Sequence, residues 1–243
     1  MHLYYIRHAQ STNNALWADT GAEQGRSHDP ELTPVGLRQA EVTAEYLART
    51  DPAAAEDARY LHNRAGFFLT HLHCSLMVRA VATGSVIANR LGLPLHAWVD
   101  WHEEGGLYLE DEAKRERVGY PGYGRAYFAE KYPALVVPET LGEDGWWGKP
   151  FEEAADRPAR ARRVLAELLE RYGQTDARVG IVSHGGFYNH FLAAIYGLPG
   201  PGMPVYHAMS NCAISRFVFE PERRPFIAYQ NRADHLPNEL LTV

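Results

Sequence analysis

Four short apolar runs, at residues 3–6, 67–72, 95–99 and 178–182, constrain the folding of this 243-residue chain more than any other feature. Each is rich in strand formers and bounded by polar or turn residues, too short to stand as a helix. Helical spacing lies between them. Over 33–49, Thr33 is placed to cap, Pro34 suits the first helical position, and Leu37, Ala40, Ala44 and Leu47 share a face. From Ser75 onward, Met77, Ala80, Gly84, Ile87 and Leu91 keep register until Gly92-Leu93-Pro94 ends the pattern. Residues 157–172 resume it through Ala161, Val164, Leu168 and Tyr172, and 187–196 read as a further helix. Two last strands are expected near 212–219 and 226–230, and residues 15–31 read as a loop. Strands alternating with helices predict an α/β fold: a three-layer sandwich with a mostly parallel central sheet flanked by helices.

In such a sheet ligands bind beyond the carboxyl ends of the strands. Here those ends carry Arg7-His8, then Ser75 and Arg79, then His102-Glu103, then His184. An arginine grips phosphate with a planar fork of donors, and a neutral imidazole can attack or take a proton. Singly, each has an ordinary explanation. Arg79 suits a surface charge, His184 before two glycines suits a tight turn, and Ser75 suits a helix cap. Convergence of all four on one sheet edge is what points to chemistry.

The formal charge of −6 argues against nucleic acid or an anionic membrane as partner, so an anionic ligand requires a local basic pocket. No run approaches membrane-spanning length and the N-terminus has no secretory pattern, so a soluble cytoplasmic protein is expected. Cys74 and Cys212, the only cysteines, are expected as reduced core residues. His71 and His73 share a strand face, and with His102 they would be the ligands of a metal-dependent hydrolase. Further ligands at metal-site spacing are missing nearby, so neither a metal nor another cofactor is expected.

RHAQSTNN, LTPVGLRQA, CSLMVRAVAT, WHEEGG and SHGG follow one another in the order of the histidine phosphatase superfamily, and the chain resembles its phosphoglycerate-mutase-like branch. Ala9 stands where that family usually has glycine. The resemblance implies His8 as the nucleophile that forms a phosphohistidine, with Arg7, Arg79 and His184 around the phosphoryl oxygens. It implies Asn14 as a neutral donor, amide donors from the helix begun at Ser75, and Glu103 as the acid and then the base. Glu104 is the competing carboxylate; adjacent residues on extended chain point opposite ways, so one of the two faces the phosphate.

The expected organisation is a single domain over 1–243, with an irregular insertion at about 105–150 serving as a substrate lid and holding a short helix near 124–131. Tyr108, Tyr120, Tyr123, Tyr127, Phe128, Trp146 and Trp147 in it form either an aromatic wall for the substrate or a small core, the latter favoured for most of them. Glycines at 105, 106, 119, 122, 124, 142, 145 and 148 would keep it flexible. A metal-independent phosphomonoesterase acting on a small phosphate ester is the leading reading; a homodimer is compatible with it. A mutase would need Lys114, Arg115, Arg117 or Arg125 in the substrate wall, and a non-catalytic phospho-ligand module remains the reading from a different class.

Overall fold

The first apolar run becomes β1, His2–Arg7, buried from Leu3 onward because helices cover the sheet on both faces. A computed structural model describes residues 1–51, 53–54, 62–111, 113–200 and 202–243. Most of the Pro/Ala/acid-rich linker expected at 51–57 lies outside them. After β1 come α1 (Thr12–Thr20), α2 (Pro34–Ala48), β2 (His71–Cys74), α3 (Val78–Leu91) and β3 (Leu95–Ala97). The insertion follows with β4 (Tyr108–Asp111), β5 (Glu116–Gly119), α4 (Arg125–Lys131) and β6 (Leu135–Val136). The chain closes with α5 (Arg157–Tyr172), β7 (Arg178–Ser183), α6 (Gly185–Ile195), β8 (Ile214–Val218) and β9 (Phe226–Arg232).

Seven strands lie in the order β6-β3-β2-β7-β1-β8-β9, parallel from β6 to β1 and antiparallel through β8 and β9. Register places Arg7 of β1 opposite Ser183 of β7, so the residues following both strands emerge side by side. One core, with Tyr4, Ile6, Leu72 and Leu76, fills the α2/α3 face; another, with Tyr5, Ile181, Phe187 and Phe191, fills the α5/α6 face. β1 feeds both by strand alternation. Thr33 and Pro34 begin α2 as expected, and Gly92 ends α3 at φ +65°.

Four local expectations are corrected. Residues 12–20 are helical because Ser11 and Asn14 close a capping box. The strand read at 67–72 starts at His71, since Phe68 sits at φ +51°, off the extended path. The third strand stops at Ala97, and Val99–Trp101 turn as a short 3₁₀ segment. The helix read from Ser75 begins at Val78, whose N–H donates to the Asp29 carboxylate at 3.0 Å.

The insertion is more regular than its aperiodic sequence suggests, because cross-chain pairing builds it. β4 and β5 form a separate antiparallel pair, and β6 extends the main sheet. Phe128, Trp146 and Trp147 are buried in the core, as the small-core alternative requires. Several of its glycines serve contact: a side chain at Gly106 would strike the Trp147 ring, and one at Gly124 the Glu143 backbone. Cys74 and Cys212 are buried free thiols.

Candidate active site

The ends of β1, β2 and β7 bring Arg7, His8, Arg79 and His184 together, the first three lining one cleft and His184 packed behind His8. His8 is buried, and its Nδ1 lies 2.7 Å from the Ala9 carbonyl oxygen, so Nδ1 carries the proton and donates. Nε2 therefore holds a lone pair, into which Arg79 Nε–H donates at 3.1 Å. Burial, followed by the Arg79 and Arg7 charges, keeps the His8 pKa well below its ordinary value. The imidazole is thus neutral, with its lone pair turned toward the Arg79 guanidinium, the state that a nitrogen nucleophile requires.

The backbone beneath is held by Asn211, which lies in none of the family-like segments, and by Thr83, the last residue of CSLMVRAVAT. Asn211 donates to the His8 carbonyl oxygen at 3.0 Å, and Thr83 Oγ1 accepts from Ala9 N–H at 3.0 Å. Arg7 Nη1 donates to the Met209 carbonyl oxygen, leaving its buried Nε without a partner among the described residues. His184 packs against His8 with ring centroids 5.1 Å apart, and neither of its buried ring nitrogens has a partner there. Burial and then Arg79 hold its pKa well below the ordinary value too. Unpartnered donors and acceptors in a buried cleft are costly unless a ligand satisfies them.

The two adjacent carboxylates are held differently. Glu103 Oε1 accepts from Phe187 N–H at 2.6 Å and Oε2 from Gly186 N–H at 3.1 Å, which seats the carboxylate at the N-terminus of α6. It lines the same cavity as Arg7, His8 and Arg79. Glu104 lines only the adjoining outer cavity, and its Oε2 accepts from Arg157 Nη1 at 2.7 Å and from His190 Nε2 at 3.0 Å. The His190 hydrogen bond, then Arg157, draws its pKa down against burial.

Asn14 also lines the cavity, but its Oδ1 is committed to the cap, accepting from Ser11 N–H at 3.1 Å. That leaves its Nδ2 as the end available to a ligand. Ser75 Oγ accepts from Met77 N–H at 3.2 Å and contributes nothing to the cleft. The amide of Val78, expected to face the anion, is taken by Asp29. Of the three histidines weighed as metal ligands, His71 and His73 both pack on Tyr172, whose hydroxyl lies 2.9 Å from His73 Nε2, while His102 packs on Trp147 with ring centroids 4.6 Å apart. Among the described residues no three His, Cys, Asp or Glu side chains gather as a metal site.

The cleft is a cavity of about 190 Å³ adjoining one of about 340 Å³, sharing Arg7, Arg79 and Glu103 at their floor. Its outer wall adds residues that sequence reading missed: Trp17, Glu23 and Arg26 from the segment after β1, and Tyr206. None lies in a periodic or motif-bearing stretch, which is why none stood out. From the insertion, Gly106 and Tyr108 reach the cavity. The basic residues that a mutase would need do not. Arg117 pairs with Glu110 at 3.1 Å, Lys114 with Asp111 at 3.6 Å, and Arg125 donates to the Leu141 carbonyl oxygen at 3.0 Å.

A buried neutral histidine, two guanidiniums and a carboxylate at one parallel-sheet edge are the groups that phosphoryl transfer through a histidine would need. The family model of the histidine phosphatase superfamily (branch 1) matches residues 3–232, and the chain belongs to that superfamily. Among curated proteins it is similar to a glucosyl-3-phosphoglycerate phosphatase of Mycolicibacterium vanbaalenii, 26% identical over 223 residues, covering 87% of this chain and 81% of that one. A solved mycobacterial glucosyl-3-phosphoglycerate phosphatase shares the fold at TM-score 0.60 and 20% identity, over 96% of this chain and 99% of its own. A phosphoserine phosphatase from Entamoeba histolytica, solved with 3-phosphoglyceric acid, does so at TM-score 0.57 and 19% identity, over 97% and 99%. Among the described residues no helix is long and apolar enough to cross a membrane.

Proposed function

We propose that this chain is a metal-independent phosphomonoesterase working through a phosphohistidine on His8. The observation that carries the reading is His8 Nε2: unprotonated, buried, and aimed with Arg79 into a cavity that Glu103 also lines. In the first displacement Nε2 attacks phosphorus and the ester oxygen leaves with a proton from Glu103. In the second, Glu103 takes a proton from water, whose oxygen attacks phosphorus and frees the imidazole. Arg7, Arg79 and the neutral His184 hold the phosphoryl oxygens, where charge spreads in the transition state. Asn14 Nδ2 adds a neutral donor. The insertion over 105–150 acts as the substrate-side wall through Tyr108.

Hydrolysis is favoured over a mutase because none of Lys114, Arg115, Arg117 and Arg125 lines the cavity. The phosphatases to which the chain is similar act on esters of small molecules, and the same substrate scale is assigned here. The test is p-nitrophenyl phosphate turnover in excess chelator by wild type and His8→Ala, with acid-quench capture of the phosphoenzyme. Chelator-resistant turnover and an acid-labile phosphoenzyme, both lost in His8→Ala, are expected. Turnover surviving the substitution would overturn the mechanism.

A further inference from the structure

Beyond the phosphate floor, one guanidinium at the cavity is not accounted for by phosphate binding. Arg26 Nη1 donates to Glu23 Oε2 at 3.0 Å and to the Tyr108 hydroxyl at 3.2 Å, and its guanidinium lies 4.7 Å from the Tyr108 ring centre. The ring fixes the cation in place without exhausting its five donors. Its Nε is buried with no partner among the described residues. Arg26 is also near enough to Arg79 for their like charges to oppose one another. Gathering a third cation beside Arg7 and Arg79 raises the energy of the empty site, a cost offset when an anion enters.

Glu23 is the present partner, but 53% of its side chain is exposed, and such a pair contributes little. A ligand carboxylate offers Arg26 the same two oxygens in a drier place and can replace Glu23. A second phosphate suits this wall less. Beyond Arg7 and Arg79 at the floor, Arg26 is the one guanidinium among the described residues lining this cavity and Glu23 stands beside it, so a second dianion would meet a single cation there. Trp17 and Tyr206, 56% and 66% exposed, present ring surface for the carbon skeleton.

We infer that Arg26 is a specificity residue reading a carboxylate on the leaving group, and that Glu23 is a built-in competitor which that carboxylate displaces. This rests on the phosphatase reading above. The assignment is tested with kcat/KM for O-phosphoserine and 3-phosphoglycerate, each against p-nitrophenyl phosphate, in wild type, Arg26→Gln and Glu23→Gln. Arg26→Gln should lower the carboxylate-to-nitrophenyl ratio at least tenfold. Glu23→Gln should raise it about threefold through KM, with kcat unmoved, because the competitor loses its charge. An unchanged ratio in Arg26→Gln, or equal losses on all three esters, overturns the assignment, as does a fall of the ratio in Glu23→Gln. Calorimetric Kd values for the two carboxylate esters in the His8→Ala background, with and without Arg26→Gln, separate the two readings. If wild type turns over no ester, the phosphatase reading fails, and equal Kd values with and without Arg26 would still overturn this one.

Discussion

Arg79 Nε lies 3.1 Å from His8 Nε2, so a permanent cation donates into the lone pair assigned to attack phosphorus. The arrangement is productive only while the imidazole is neutral, and the same cation, added to burial, keeps it so. Arg79→Gln should lower kcat/KM by roughly 10²–10³ and raise the His8 pKa. Linkage gives a second consequence. Native His8 refuses protons that the unfolded chain accepts below about pH 6.5, so its neutrality destabilises the fold progressively as pH falls through that value. NMR titration of His8 checks both; a wild-type midpoint near 6.5 would sink them.

Asp29 carries the opposite sign. Burial pushes its carboxyl up to about 7, against the pull of Arg79 and of the Val78 N–H. Its Oδ2 is buried with no partner among the described residues. Native Asp29 holds a proton that the unfolded chain has lost, so its penalty grows as pH rises from about 4 to 7 and is complete above. Asn can keep the cap on Val78 without the charge. Asp29→Asn should therefore stabilise at pH 8 by about 1–2 kcal/mol, a few degrees in Tm, and much less at pH 5. Asp29→Ala loses the cap and should be less stable than Asp29→Asn at both. Thermal melts at the two pH values decide it; a gain that is larger at pH 5 contradicts the assignment.

The two adjacent glutamates should separate by leaving group. Glu103→Gln cannot protonate the departing oxygen, so an alkyl phosphate should lose about 10²–10⁴ in kcat, and p-nitrophenyl phosphate less because its leaving group is more acidic. Glu104→Gln weakens the Arg157 and His190 contacts and should cost no more than about threefold on either. Equal losses on both esters for Glu103→Gln would remove it from the acid role.

The alternation of strands and helices was readable because buried parallel strands and amphipathic helices leave opposite periodicities in the chain. Arg7, His8, Arg79 and His184 were readable as a set since each follows a strand of one sheet. What stayed hidden depends on partners distant in sequence. Asp29 caps α3 from 49 residues away, and Asn211 braces His8 from 203. Neither spacing leaves a local pattern. The hairpin β4/β5 and the edge strand β6 lacked periodicity because their residues are only partly buried, so no face needed a continuous apolar run. Arg26 and Tyr108 meet across 82 residues and showed nothing until the insertion was folded onto the loop after α1.

Gly186 offers the most selective lesion in the site. A Cβ there would lie 2.7 Å from Glu103 Oε1 and 2.7 Å from Glu104 Oε1, while its backbone is ordinary helix. Alanine is favoured over glycine in a helix by roughly 1 kcal/mol, which offsets part of the crowding. The atoms in the way end flexible side chains, so Gly186→Ala should fold with Tm within about 3 °C of wild type. The carboxylate of Glu103 must shift from the α6 amides, and a displacement near 1 Å at an acid–base group costs about 10²-fold in rate. Calorimetric melts and kcat on an alkyl phosphate test the pair of expectations. Wild-type kcat in a stable Gly186→Ala protein would mean that the α6 N-terminus does not position the acid.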